Sequence, residues 1–209
     1  MNTLEKFMFR SPSTGLIAGP TGSGKTYTLL SFLKYVDLFE QPPVKIIWCY
    51  SIYQPIFNEY RSKIEFHEGL YDIKSLESVQ GHKIIILDDL MHQMNEQIAE
   101  TFTVFSHHLN ITVFFITQNI FHQNKYMRDV SLNTQYLILF GQRRDVSQIN
   151  VLATQMFPLQ RKEFLKVYKE VTSKPHGYLL CDLHPKNTFR VLLRTNILPT
   201  EIETVYIPE

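Results

Sequence analysis

Apolar and polar positions along the chain fall into blocks whose period alternates between that of a strand and that of a helix. Apolar runs at Thr14–Ala18, Val44–Tyr50, Lys83–Leu87, Ile111–Thr117 and Tyr136–Phe140 are nearly unbroken. This is the pattern of strands covered on both faces. Other segments space their apolar residues three and four apart, as Tyr27, Leu30 and Leu33 do. They predict helices over Lys25–Val36, Tyr53–Lys63, Asp72–Val79 with Asp72 as cap, Met94–His108, Asp145–Met156 and Leu159–Thr172. Gln41-Pro42-Pro43 stops the first helix, and Pro158 separates the last two. Ile64–His67 reads as a short strand and Gln118–Asn133 as a polar loop. Gly177–Leu183 and Thr188–Arg194 read as a terminal β-hairpin turning at Pro185-Lys186-Asn187.

Strands alternating with helices predict an α/β fold, a mainly parallel central sheet flanked by helices, closed by the C-terminal β-hairpin. No repeat, low-complexity tract or linker interrupts the pattern, and 209 residues fit a single domain over 1–209. Hydrophobic content of 44% and 20% charged residues suit a globular chain with a sizeable core. Cys49 and Cys181 each lie in a strand-like run, and no second Cys stands at ligand spacing to either. They are expected to be buried thiols in a reducing compartment rather than zinc ligands. No apolar stretch approaches the roughly 18 residues of a membrane span. Met1–Arg10 carries Glu5, Lys6 and Arg10 without an apolar core, so the expectation is an intracellular protein that is not secreted.

Net charge is only +1, but its distribution is uneven: Phe121–Lys174 holds nine basic residues against four acidic. That segment is either a set of solvated helix faces or a surface turned toward a polyanion.

The chemistry concentrates in Gly19-Pro20-Thr21-Gly22-Ser23-Gly24-Lys25-Thr26, which follows a predicted strand and opens a predicted helix. In that context the spacing is a P-loop. Glycines let the backbone wrap a phosphate with its N–H groups, and the helix N-terminus favours the anion. Lys25 is expected between the β- and γ-phosphates of ATP, and the Thr26 hydroxyl on Mg2+. A second signal is Ile84-Ile85-Ile86-Leu87-Asp88-Asp89, in which a buried strand delivers carboxylates to the sheet's C-terminal edge. Asp88 is the expected second metal ligand, acting through a water because Mg2+ keeps much of its hydration. Asp89 is positioned to orient or activate the attacking water, a place more often held by Glu; a capping carboxylate is the alternative. Gln118 would reach the γ-phosphate if its strand lies beside the first. Arg143 and Arg144, just past the strand Tyr136–Phe140, could supply an arginine finger to a neighbouring subunit or pair with Asp145.

In order along the chain, the P-loop, Asp88-Asp89, Ser106-His107-His108-x-Asn110, Thr117-Gln118-Asn119 and Arg143-Arg144-Asp145 resemble the genome-packaging ATPases of double-stranded DNA viruses and virus-like transposons. These form the poxvirus, adintovirus and Polinton branch of the FtsK–HerA superfamily. The resemblance spans about Gly15 to Leu198. It implies a RecA-like core in which the strand ending at Gln118 lies between the P-loop strand and the Asp88 strand. It further implies a homo-oligomeric ring of five or six subunits with ATP at subunit interfaces. Double-stranded DNA would pass through the ring into a preformed capsid at its vertex, in the virion or the host cell interior. The loop Phe121–Asp129, with Lys125, Tyr126 and Arg128, is either a DNA contact or a solvated surface loop. Two other readings stay open: a P-loop nucleoside or nucleotide kinase, and a slow ATPase acting as a switch or assembly scaffold.

Overall fold

A computed structural model describes residues 6–120, 125–142, 146–186 and 193–206. Nine strands among them make one sheet: β1 (Thr14–Ala18), β2 (Lys45–Tyr50), β3 (Glu65–Glu68), β4 (Lys83–Asp88), β5 (Ile111–Thr117), β6 (Tyr136–Phe140), β7 (Tyr178–Asp182), β8 (Leu193–Thr195) and β9 (Thr204–Tyr206). Their spatial order is β3-β2-β4-β5-β1-β6-β7-β8-β9. The first six pair in parallel, and β7 to β9 extend the sheet antiparallel from β6. Thus β5 lies between β1 and β4, the order that the resemblance implies for a RecA-like core.

The central strands are largely apolar because both faces of the sheet are covered there, whereas the edge strand β3 keeps Glu65 and Glu68 exposed. Every residue of β1, β4, β5, β6 and β7 is buried. The two-residue period of a strand divides the core in two. Ile17, Trp48, Ile84, Ile86, Phe114 and Ile138 pack toward α1 (Lys25–Leu33), against Leu29, Leu30, Phe32 and Leu33. Their neighbours Leu16, Ile47, Ile85, Leu87, Val113, Phe115 and Leu137 face the opposite layer. That layer is built from α2 (Glu96–Glu100), α3 (Ser106–His108), α4 (Lys125–Leu132), α5 (Val146–Met156) and α6 (Arg161–Thr172). Burying one such aliphatic or aromatic side chain contributes about 1.5–3 kcal/mol before chain entropy is counted.

Several predicted elements take a different form. The segment after β2 is a 3-10 helix, Pro55–Tyr60, rather than a helix from Tyr53 to Lys63. Pro55 opens it without a backbone donor, and the turn is short. Asp72 does cap, accepting from the Lys74 N–H, but the element it opens is the 3-10 helix Ile73–Ser78. The Met94–His108 helix is split, with a π-helical stretch, Thr101–Phe105, joining α2 to α3. There the Thr101 and Thr103 hydroxyls bond back to the carbonyls of Gln97 and Ala99, a local competition that loosens helical register.

The predicted polar loop Gln118–Asn133 is corrected most: its second half is α4. Met127 and Val130, three residues apart, are fully buried against the core while the intervening positions stay wet. Two apolar anchors suffice to dock one face of so short a helix, and they are easily overlooked in a polar sequence. The expected C-terminal hairpin exists as β7 and β8, with β9 as an additional strand. Residues 187–192, including part of the predicted turn, lie outside the described residues.

Candidate functional site

The turns that follow β1, β4 and β5 meet at the C-terminal edge of the sheet. Strand β5 ties the other two together: its Ile116 carbonyl accepts from the Asp89 N–H at 3.3 Å, and its Thr117 carbonyl accepts from the Gly19 N–H at 3.2 Å. The Thr117 hydroxyl accepts from the Asn119 N–H at 3.1 Å, fixing the tight turn that carries Gln118. A cleft of about 410 Å³ opens there. Its walls include Thr21, Gly22, Gly24, Lys25, Thr26, Asp88, Asp89 and Gln118, with Tyr27, Gln54 and Ile56 beside them.

Gly24 caps α1 with φ of 104°, a left-handed conformation that favours glycine. A Cβ there would also stand 2.8 Å from Nδ1 of His176. The Lys25 ammonium donates to the carbonyls of Gly19 and Pro20 at 2.8 and 2.9 Å, holding it against the loop. Burial lowers the Lys25 pKa, opposed by the charges of Asp88 and Asp89. Ser23 Oγ is buried without a protein partner, so the loop holds a polar group whose hydrogen-bonding capacity the fold itself does not use.

Asp88 reaches this cleft because it continues the alternate series of Ile84 and Ile86, whose side chains face α1. It is 5% exposed. Its Oδ2 accepts from the Thr26 hydroxyl at 3.4 Å and from the Trp48 indole N–H at 3.2 Å. Burial pushes the carboxyl up to about 6. The Trp48 donor opposes that shift, Asp89 adds to it, and Lys25 and Thr26 oppose it more weakly. Asp89 is exposed, in a left-handed backbone conformation with φ of 55° that turns the chain away from the strand axis. For a non-glycine residue that conformation is uncommon, and such strain clusters at functional turns.

Gln118 is exposed on the cleft wall, and its carbonyl accepts from Gln142 Nε2 at 3.3 Å. The Gln142 N–H in turn donates to the Tyr168 hydroxyl at 2.8 Å, and that hydroxyl donates to the Phe140 carbonyl at 2.9 Å. The segment leading toward Arg143 is therefore bonded to the turn that carries Gln118. Arg143, Arg144 and Asp145 themselves lie outside the described residues.

The structure thus brings Lys25, Thr26, Asp88, Asp89 and Gln118 to one cleft. The candidate DNA contact fares differently. Residues 121–124 lie outside the described residues, while Lys125, Tyr126 and Arg128 sit on α4 rather than on a loop, and the Lys125 ammonium lies 4.6 Å from the centre of the Tyr126 ring. His107 and His108 are exposed in the last turn of α3, where the helix dipole favours a cation. Cys49 and Cys181 are buried free thiols, and burial pushes Cys49 up to about 12. No helix among the described residues is long and apolar enough to cross a membrane.

Sequence reasoning missed Trp48, Tyr27, Gln54, Ile56 and His176. Trp48 carried a usable signal, as the single tryptophan of the chain in an apolar run: a buried indole N–H needs an acceptor. His176 carried none, since it meets the P-loop from 153 positions away.

Two solved structures share this fold along nearly the whole chain. Both are of the genome packaging NTPase B204 from Sulfolobus turreted icosahedral virus 2, one in complex with ATP-gammaS and one with AMPPCP. Identity is 12% and 13%, TM-scores are 0.55 and 0.57, and each match covers 95% of this chain and 98% of B204. The cytoplasmic domain of EssC matches at 14% identity and TM-score 0.51, over 94% of this chain and 40% of that one. At these identities the likeness establishes the fold, a P-loop NTPase with a mostly parallel central sheet. No protein-family model and no curated protein sequence matches the chain.

Proposed function

We propose that this chain is an ATPase of the FtsK–HerA superfamily, in its poxvirus, adintovirus and Polinton branch, and that it drives double-stranded viral DNA into a preformed capsid. The observation that carries the reading is the convergence of Lys25, Thr26, Asp88, Asp89 and Gln118 on one cleft beside the P-loop. The full-length structural likeness to B204, itself a genome packaging NTPase, supports the same direction.

The donor set fits a nucleotide with Mg2+. The Thr26 hydroxyl and the Asp88 carboxylate touch each other in the cleft, and either can serve that ion directly or through water. Among the described residues no group of three or more His, Cys, Asp or Glu could hold a metal. A cation that takes few protein ligands and completes its shell with phosphate and water needs no such cluster. When bound, the ion would supply charge neutralisation for the β- and γ-phosphates. The backbone N–H groups of Gly22, Gly24, Lys25 and Thr26 cradle the phosphates, and Lys25 places its positive charge among their oxygens. Asp89 orients the attacking water and accepts its proton. Gln118 polarises the γ-phosphate, and its bond to Gln142 ties it to the segment from which Arg143 or Arg144 reaches a neighbouring subunit. The working assembly is a ring of five or six copies around DNA, docked on a capsid vertex, in the virion or the host interior. Residues 1–209 act as one ATPase domain.

The test is ATP hydrolysis by the purified protein with and without long duplex DNA, and with nucleosides added as acceptors. Stimulation by duplex supports the motor. Phosphorylation of an added nucleoside would replace it with a kinase. Slow turnover indifferent to both would replace it with a switch.

A further inference from the structure

A second cleft, of about 270 Å³, lies on the other side of the P-loop helix from the carboxylates. It is walled by the outer face of α1, the end of α6 with the turn after it, and the segments flanking β8 and β9. We infer that this cleft receives the nucleoside half of the bound nucleotide, with Tyr27 as the stacking platform and Asn196 as the group that reads the base. The inference rests on the proposed orientation of the triphosphate, with its γ end toward Asp88, Asp89 and Gln118.

The geometry follows from where the P-loop lets a ligand leave. A triphosphate whose γ end lies at the carboxylates and whose middle lies at Lys25 must emerge past the first turn of α1. Tyr27 stands at that point, lining both clefts, with its side chain largely exposed. Across from it His176 closes the wall: its Nδ1 lies 3.2 Å from the Ser23 carbonyl, and its ring covers Gly24. The turn that carries His176 is held in a left-handed conformation, φ of 56°, and Asn196 has the same φ. Asn and His adopt that region more readily than most residues, and both line this one cleft.

The chemistry of the walls suits a nucleoside. An exposed tyrosine ring stacks on any base, since every base presents a π-face. The carboxamide of Asn196 offers both a donor and an acceptor, the pair that complements the adjacent amino group and ring nitrogen of adenine. Glu170 and Glu201, also on the walls, are acceptors of the kind that bind ribose hydroxyls. The cleft volume is close to the lower end, about 300 Å³, of pockets that hold small ligands, as fits half of a nucleotide.

The experiment compares Mg-ATP with Mg-tripolyphosphate, which has the same phosphate chain and no nucleoside, by calorimetry on wild type, Tyr27→Ala, Tyr27→Phe and Asn196→Gly. Glycine at 196 deletes the amide while keeping the left-handed backbone. Tyr27→Ala and Asn196→Gly are each expected to weaken ATP about tenfold or more and leave tripolyphosphate within twofold, with Tyr27→Phe close to wild type for both. ATP affinity within twofold of wild type in Tyr27→Ala and Asn196→Gly overturns the inference while leaving the phosphate site standing. Parallel loss of both ligands also overturns it, because the variants then disturb the P-loop itself. Failure of wild type to bind either ligand removes the phosphate reading and this one with it.

Discussion

Asp88 stands where burial works against its charge, and removing that charge should stabilise the fold. In the folded chain its carboxyl is pushed from an ordinary 3.8 up to about 6. The unfolded chain releases this proton near 3.8, whereas the folded chain keeps it until about 6. Between those values the folded state binds more protons, so stability falls as pH rises through the window, and the penalty is complete above it. Two pH units correspond to roughly 3 kcal/mol. Asp88→Asn keeps an oxygen to accept from Trp48 and Thr26 but adds amide donors in a buried place, which leaves a net gain of about 1–3 kcal/mol. For a chain of this length that is a rise in Tm of roughly 2–12 °C. Thermal unfolding followed by circular dichroism, in chelator and without nucleotide, should show the variant above wild type at pH 7.5. The two curves should converge as pH falls toward 4. No gain at pH 7.5, or a gain that persists unchanged at pH 4, would refute the reasoning.

Three further outcomes follow from the same geometry. Trp48→Phe removes the indole donor to Asp88; a hydrogen bond to a charged group is worth about 1.5–3 kcal/mol, so the carboxyl should rise by about 1–2 pH units. Mg-nucleotide binding measured across pH should then move its acid limb to higher pH by that amount, and an unmoved limb would contradict the role of the indole. Asp89→Ala should bind ATP within a few-fold of wild type while hydrolysis falls at least a hundredfold; normal turnover would show that another group activates the water. Arg143→Ala or Arg144→Ala mixed with wild-type subunits should depress DNA-stimulated activity out of proportion to its fraction, whereas a linear loss would argue against an arginine acting between subunits.

The parallel strands themselves were legible because each buried run is bounded by turn residues; their order was not, and only the resemblance implied that β5 lies between β1 and β4. The P-loop and the Ile84–Asp89 strand were legible because both place chemistry at a strand's end, where a parallel sheet opens its ligand edge. What escaped depends on contacts between distant segments. Trp48 touches Asp88 only because β2 and β4 pair in a register that puts Tyr50 opposite Asp88 and leaves the indole on the diagonal. His176 reaches Ser23 only because α6 ends beside α1. Helix α4 was hidden by its own polarity, since Met127 and Val130 alone anchor it. The 3-10 helices at Pro55 and Ile73 share their apolar content with α-helices and differ in length and backbone bonding, which residue spacing over six positions resolves poorly.

The proposed activity depends on a triphosphate held by Lys25 and the P-loop with a divalent ion nearby. Isothermal titration of the folded protein with ATP, with and without Mg2+ and alongside Lys25→Ala, tests this most directly. The expected result is saturable uptake of about one nucleotide per chain, strengthened by Mg2+ and lost in Lys25→Ala. No uptake by well-folded wild type, or equal uptake by Lys25→Ala, would contradict it.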